Sequence, residues 1–309
     1  MATPMRSTDF RSVVEPILNE VFDGVYDQRA DEWSMVFREQ KGIPRNYHEE
    51  PVLYGFGAAP ELPDGMAVSY QSGGVLFLQR YLYKVYGLAF SLTKVLVEDG
   101  DHIRIGQTYA KHLAQSLIET KETLGANILN RAFNASYTGG DGVILVSNAH
   151  TDAINGATGA ASRSNLLTTS AALSQTSLEQ MLIQIRQAED PRGKKIRLTP
   201  KKLVVAPGNM LTAEVLLKSV LRAGTNNNDL NPVKSMGALG DVVVLSRLTS
   251  ATAWFIQTDA PEGLKVLWRR KIEKGMEGDF ETDSVRYKST MRFGSGWTDW
   301  RAVFATPGT

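Results

Sequence analysis

The sequence predicts an α+β fold with one long helix, a body of antiparallel strands and a separate α/β unit. The helix is read from residues 106–134, GQTYAKHLAQSLIETKETLGANILNRAFN, a stretch without proline. Its apolar positions Ile105, Tyr109, Leu113, Leu117, Leu124, Ile128, Leu129 and Phe133 follow a 3.6-residue period. The antiparallel strands are read from alternation at Leu264, Val266 and Trp268, then at Val285, Tyr287, Met291 and Phe293. The α/β unit is read from strand–helix–strand alternation in residues 177–260.

Taken in order, residues 8–22 give helical spacing through Val13, Val14, Ile17, Leu18, Val21 and Phe22, with Pro16 as a defect at which the helix would otherwise begin. From Asp23 to Glu50 the chain is polar, with scattered aromatics at Tyr26, Trp33, Phe37 and Tyr47. Such a segment has no core of its own and reads as an arm that packs on something else, a neighbouring subunit being one choice. Residues 51–86 read as a long hairpin: strands at 52–56 and from Met66, joined by a turn-rich stretch ending Pro63, Asp64, Gly65. Two strands alone are marginal in water, so this ribbon needs a supporting surface. Strand continues over 75–93, with a helical turn expected at 91–98 before the long helix, which at ~1.5 Å per residue is a rod of roughly 43 Å.

After that rod, 143–146 reads as a short buried strand and 151–176 as an exposed loop. Ser177 and Gln180 have the spacing of a capping box for a helix with Leu178, Met181, Leu182, Ile185 and Ala188 inward. Strands are expected at 203–206, 242–245 and 253–257, and a helix from an Asn209 cap through Leu221. Trp297, Trp300, Val303 and Phe304 end the chain on an apolar anchor.

Composition narrows the function. A hydrophobic share of 42% supports a sizeable core. The net charge of +1 argues against a dedicated nucleic-acid binder, which carries a strong basic excess. The absence of cysteine excludes disulfides, thiol catalysis and cysteine-based metal sites. No continuous apolar run near the N-terminus suggests a secretory signal, and Arg80, Lys84 and Lys94 interrupt the most membrane-like window, so no membrane partner is expected.

No catalytic set emerges. His48, His102, His112 and His150 have no zinc-like spacing and read as structural. Gly139, Gly140, Asp141 and Gly142 complete neither a phosphate loop nor a dinucleotide fingerprint. Glu277, Asp279, Glu281 and Asp283 alternate on one face of an extended chain; that pattern suits a divalent cation, or, as the preferred reading, an ion-pair surface. With Arg269, Arg270 and Lys271 just upstream, it suits reciprocal contacts between copies of one chain. Asn226, Asn227, Asn228 and Asp229 form a polar tip that lines a central opening if the α/β unit surrounds an axis. No cofactor is expected.

The order of segments resembles the major capsid protein of tailed bacteriophages, in particular the Mu-like major head subunit group. The pieces that carry the likeness are the arm, YGFGAAPELPDGMAVSY, YGLAFSLTKVLVEDG leading into the long helix, VSNAHTDAIN, LTPKKLVVAPGNMLTAEVLLKS and the ending GLKVLWRRKIEKGMEGDFETDSVRYKSTMRFGSGWTDWRAVF. The resemblance implies the shell fold shared with encapsulins. In it, 1–50 would be an N-terminal arm and 51–86 an extended loop lying across a neighbour. Residues 87–164 and 263–309 would be a peripheral domain with the spine helix 106–134, and 165–262 an axial domain with 223–237 near the capsomer centre. Residues 273–283 would lie near three-fold contacts. It implies hexamers and pentamers of an icosahedral head enclosing double-stranded DNA, assembled in the host cytoplasm. Scaffolding, portal and possible decoration proteins would be partners, and packaged DNA would be touched weakly and non-specifically. No long scaffolding extension precedes the arm in this reading. Some members of the fold cross-link a lysine of the extended loop to an asparagine of the peripheral domain. There is no lysine between Pro51 and Arg80 and no asparagine after Asn231, so no such link is expected. An encapsulin-like compartment shell is the alternative, and an α/β enzyme built on 177–260 a weaker one.

Overall fold

The computed structural model describes residues 7–28, 31–93, 95–96, 102–152, 154, 162–222, 229–279 and 284–308. Helix α1 spans Ser7–Gln28 and runs through Pro16 instead of starting there. Proline removes one backbone donor and crowds the preceding turn, at a cost of ~3 kcal/mol in a helix interior. Burial of Val14, Leu18 and Phe22 against Leu113, Ala114 and Leu117 of the long helix opposes that cost. The long helix, α2, spans His102–Asn130. It has the expected length but starts four residues earlier and gives way to a turn before Phe133.

The polar segment after α1 does pack on something else, and that is its own chain. Trp33, Val36 and Phe37 are buried in the core around α2. A side chain at Gly125 of α2 would meet the Trp33 Cβ at 3.0 Å, so glycine there permits the close approach. Strand β1, Arg38–Lys41, then pairs in parallel with β10, Leu264–Asp279. The core was hidden in sequence because its aromatics are far apart there and converge only through the turn after α1.

The hairpin is longer-legged than expected. Strand β2 is Tyr47–Tyr54 and β3 is Gly74–Leu82, and residues 66–70 are loop. Pro60 and Pro63 supply no backbone donor, so this stretch cannot continue a ladder. Strand β4, Lys84–Thr93, takes the place of the first part of the helical turn expected at 91–98; Lys94 and 97–101 lie outside the described residues.

Besides a short antiparallel pair, β5 His150–Thr151 with β6 Ser162–Arg163, two sheets organise the rest. One has the order β1-β10-β11-β4, where β11 is Ser284–Trp297. The other has the order β12-β9-β7-β8, from β7 Pro200–Val205, β8 Asp241–Val244, β9 Trp254–Thr258 and β12 Val303–Thr306. The last strand therefore belongs to the sheet of the α/β unit, not to the antiparallel body that β10 and β11 build. Helices α3, Gln175–Arg186, and α4, Met210–Lys218, bury Leu178, Met181, Ile185, Ala213 and Leu217 in that unit's core.

Three local expectations are corrected. The α3 cap is Ser174, whose box partner is Ser177, because Ser177 Oγ also reaches the Ala172 carbonyl at 2.8 Å. Asn209 does not cap α4: its amide donates to the Ala251 carbonyl at 2.9 Å. Residues 143–146 are not a strand; beyond one bridge at Ile144, their backbone is met by Ala132 and by the Asn165 side chain.

Candidate assembly surfaces

The hairpin β2–β3 is held at both ends. At its base Lys265, almost fully buried, donates to the carboxylates of Glu50 and Glu262. Thr298 Oγ1 donates to Glu50 at 2.6 Å, which leaves the Tyr81 hydroxyl to donate to Thr298. Burial pushes the Glu50 carboxyl up, but the bonds from Lys265, Thr298 and His48 outweigh it and hold the group below its ordinary range. Burial pushes the Tyr81 phenol well up, so it stays a neutral donor. At the far end Arg192 donates to the Gly55 carbonyl at 2.7 Å and the Ser72 carbonyl at 2.9 Å, with its guanidinium 5.3 Å from the Tyr54 ring centre. Both ends of loop 55–73 are thus tied to the turn after α3.

Beyond these ties the loop is bare. Phe56, Leu62, Met66, Val68 and Tyr70 are exposed, Tyr70 at 99%. Leu53, Val75, Leu78 and Leu82 continue an exposed apolar face along the hairpin. A second apolar surface lies on and after α4, at Met210, Leu211, Val215, Val220 and Leu221. Contiguous exposed apolar surface of this kind marks interaction sites.

The frame behind these surfaces is tied by buried polar groups. Asn165 donates its amide to the carbonyls of Leu145, Trp300 and Val303 at 2.7, 3.2 and 2.8 Å. Its oxygen accepts from the Ser147 backbone at 2.8 Å and faces His150 Nε2 at 3.2 Å. The other ring nitrogen of His150 meets Asp141 at 2.6 Å, and the ring stacks on Trp300 with centres 4.3 Å apart. His150 is thus fully buried with both ring nitrogens met. Arg163 joins Asp152 and Glu189, and Arg301 joins Asp152 and Asp299, around the same junction. None of these groups had a periodic or motif signal in the sequence; their hydrogen-bond and ion-pair partners lie up to 149 residues away.

The site residues read from the sequence are placed as follows. Arg269 and Lys271 are exposed on β10. Arg270 pairs with Glu273 at 3.0 Å and donates to Thr290 at 2.8 Å, directly opposite Arg292. Glu277 is exposed opposite Arg286, and Arg286 bonds Asp279 on the neighbouring strand. Part of the acidic run is therefore met within the same hairpin. Glu281 and Asp283 lie outside the described residues, as do Asn226, Asn227 and Asn228. Asp229 is exposed, and its carbonyl accepts from Arg222 at 2.7 Å. Among the described residues no cluster of three or more His, Asp or Glu is arranged to hold a metal. Among them no helix is long and apolar enough to cross a membrane.

A long helix backed by an antiparallel sheet, an extended hairpin and a second α/β unit define a shell-forming fold of the kind seen in phage capsids. The capsid of cyanophage P-SCSP1u superposes with a TM-score of 0.55 at 10% identity, covering 89% of this chain and 86% of that one. The structures of Microbacterium phage Oxtober96 and Mycobacterium phage Patience each give 0.52 at 9% identity. The first covers 91% of this chain and 92% of its own; the second covers 98% and 89%. No curated protein matches the sequence. A model of the phage capsid protein family matches residues 81–306, and the chain belongs to that family. It is a capsid protein, and the virion shell is its place.

Proposed function

We propose that this chain is the repeated major subunit of an icosahedral head, closing into hexamers and pentamers around double-stranded DNA. The observation that carries this reading is the hairpin: fixed at both ends, apolar, and bare along loop 55–73. In a family of shell proteins, such a ribbon is buried by neighbouring subunits, and large obligate interfaces bury upwards of ~2,000 Å². The near-neutral charge suits a container that confines DNA without gripping it, since tight binding needs many phosphate contacts. The role is structural, not enzymatic. Scaffolding and portal proteins are its partners during assembly in the host cytoplasm, decoration proteins bind the finished surface, and the order of its segments, which resembles that of the Mu-like head subunits, supports membership of that group. Arg269, Arg270 and Lys271 with Glu277, Asp279, Glu281 and Asp283 serve contacts between copies, and residues 226–229 the capsomer centre. Light scattering on the purified chain tests the reading. A mass of many subunits supports it; a monomer at every concentration, with a scaffolding protein present, overturns it.

A further inference from the structure

One cavity lies between β3, the C-terminal half of α2 and β11, with a volume of about 390 Å³. That is within the ~300–1,000 Å³ of pockets that take small ligands. Strand register sets one wall: Phe293 of β11 stands opposite Lys84 of β4, and the Tyr86 and Phe293 ring centres lie 5.2 Å apart. Arg131, just past α2, lies 4.4 Å from the centre of the Tyr137 ring. Its charge also acts on the Tyr86 phenol, which burial pushes up, so one guanidinium serves both rings. Trp297 completes the aromatic lining, its indole nitrogen so near Gly139 that a side chain there would meet it at 2.9 Å.

The charge of this lining is one-sided. Lys84 and Arg131 are its cations, no acidic residue stands among them, and neither cation forms an ion pair among the described residues. Gln79 and Asn127 add side-chain amides, each of which both donates and accepts. Flat aromatic faces, two uncompensated cations and amides that read a polar edge therefore converge on one space. A lone carboxylate would answer only one of the cations. A phosphate monoester carries about −1.5 to −2 at neutral pH and answers both. A nucleobase offers a π-face for stacking and an edge of donors and acceptors for the amides.

We propose that this cavity binds a single nucleotide, its base stacked among Tyr86, Tyr137 and Trp297 and its phosphate held by Lys84 and Arg131. All of these groups belong to one chain, so the site is complete without a second copy. It also agrees with a net charge of +1: one pocket with two cations takes a nucleotide without making the surface a basic track for duplex DNA. Two sources supply this chemistry, a free mononucleotide and an unpaired nucleotide of a single strand. A duplex does not, because its bases are held in the stack.

The test is titration of the purified full-length chain with dAMP, deoxyadenosine, inorganic phosphate and a single-stranded oligodeoxyadenylate, followed by calorimetry and ligand-observed NMR. Saturable binding of dAMP at one site per chain is the expected result, with deoxyadenosine and inorganic phosphate each weaker by about tenfold or more. An oligodeoxyadenylate that binds as tightly as dAMP, and loses affinity with added salt, identifies single-stranded nucleic acid as the source; one that is excluded identifies the free nucleotide. Lys84→Met with Arg131→Met keeps apolar stems of similar reach and removes both charges, so dAMP affinity falls about tenfold or more while deoxyadenosine binding is unchanged. Tyr137→Ala, at a residue 41% exposed and so tolerant of change, weakens dAMP and deoxyadenosine alike. Absence of saturable dAMP binding at millimolar concentration, inorganic phosphate binding as tightly as dAMP, or unaltered dAMP affinity in variants whose circular dichroism matches the parent overturns the proposal. Light scattering on the same samples reports assembly separately, so the shell reading stands or falls on its own.

Discussion

The carboxylate of Glu122 accepts the backbone N–H of Trp33 at 3.0 Å, and that of Glu32 at 2.8 Å. One side chain of the long helix thereby fixes the start of the turn that brings Trp33 into the core. Burial pushes the Glu122 carboxyl up, opposed by these two bonds. Lys121, its neighbour, donates to Asp31 at 2.5 Å and Tyr26 at 2.9 Å. The N-terminal segment is thus built into the subunit from Val14 to Lys41.

Glu122→Ala leaves one buried and one partly buried donor without partners, the buried one worth ~1–3 kcal/mol. The expected result is a destabilisation of about 2 kcal/mol or more in urea unfolding, with faster hydrogen exchange at amides 32–37. Glu122→Gln, which keeps an acceptor, loses less.

The hairpin base depends on pH through Glu50. Its carboxyl is held below the ordinary value of 4.5, so its contribution is complete above that value and is lost as pH falls through the lower folded value. Hydrogen exchange along β2 and β3 is expected to quicken below about pH 4. Glu50→Gln removes that pH dependence and leaves a looser hairpin at neutral pH.

Asn165→Ala deprives three buried carbonyls of a donor. The loss is about 3 kcal/mol or more, and most of the protein is expected in the insoluble fraction on expression at 37 °C. Asn165→Asp fares no better, because it presents acceptors to those same carbonyls.

Removing residues 1–45 takes Leu18, Phe22, Trp33 and Phe37 from the core around α2. The expected outcome is loss of the antiparallel body's thermal transition as well as of assembly, seen by calorimetry. A truncated chain that melts like the parent contradicts the packing of α1.

Without a lysine in loop 55–73, mature shells boiled in detergent run as a single monomer band. A ladder of linked subunits contradicts this.

The architecture was legible where the pattern is local. The α2 period, the β10–β11 alternation and the buried runs of β7, β8 and β9 each needed only side-chain spacing and burial on one face. What escaped depends on distant partners. Trp33 reads as an isolated aromatic until Glu122 fixes its turn. Residues 143–146 read as a strand because they are apolar, yet their backbone is met by Gly139, Asp141, Ala132 and the Asn165 side chain. Pro16 reads as a helix start because the burial of the first turns of α1 on α2 is invisible locally. The candidate surfaces were half legible: loop 55–73 announces itself by its turn residues, but Arg192, Lys265 and the cavity between β11 and α2 have no spacing that betrays them.

Negative-stain electron microscopy of the purified chain, alone and co-expressed with a candidate scaffolding protein, bears most directly on the shell reading. Closed shells of uniform diameter, or rings of five and six subunits, are the expected result. A homogeneous monomer or dimer under both conditions contradicts it.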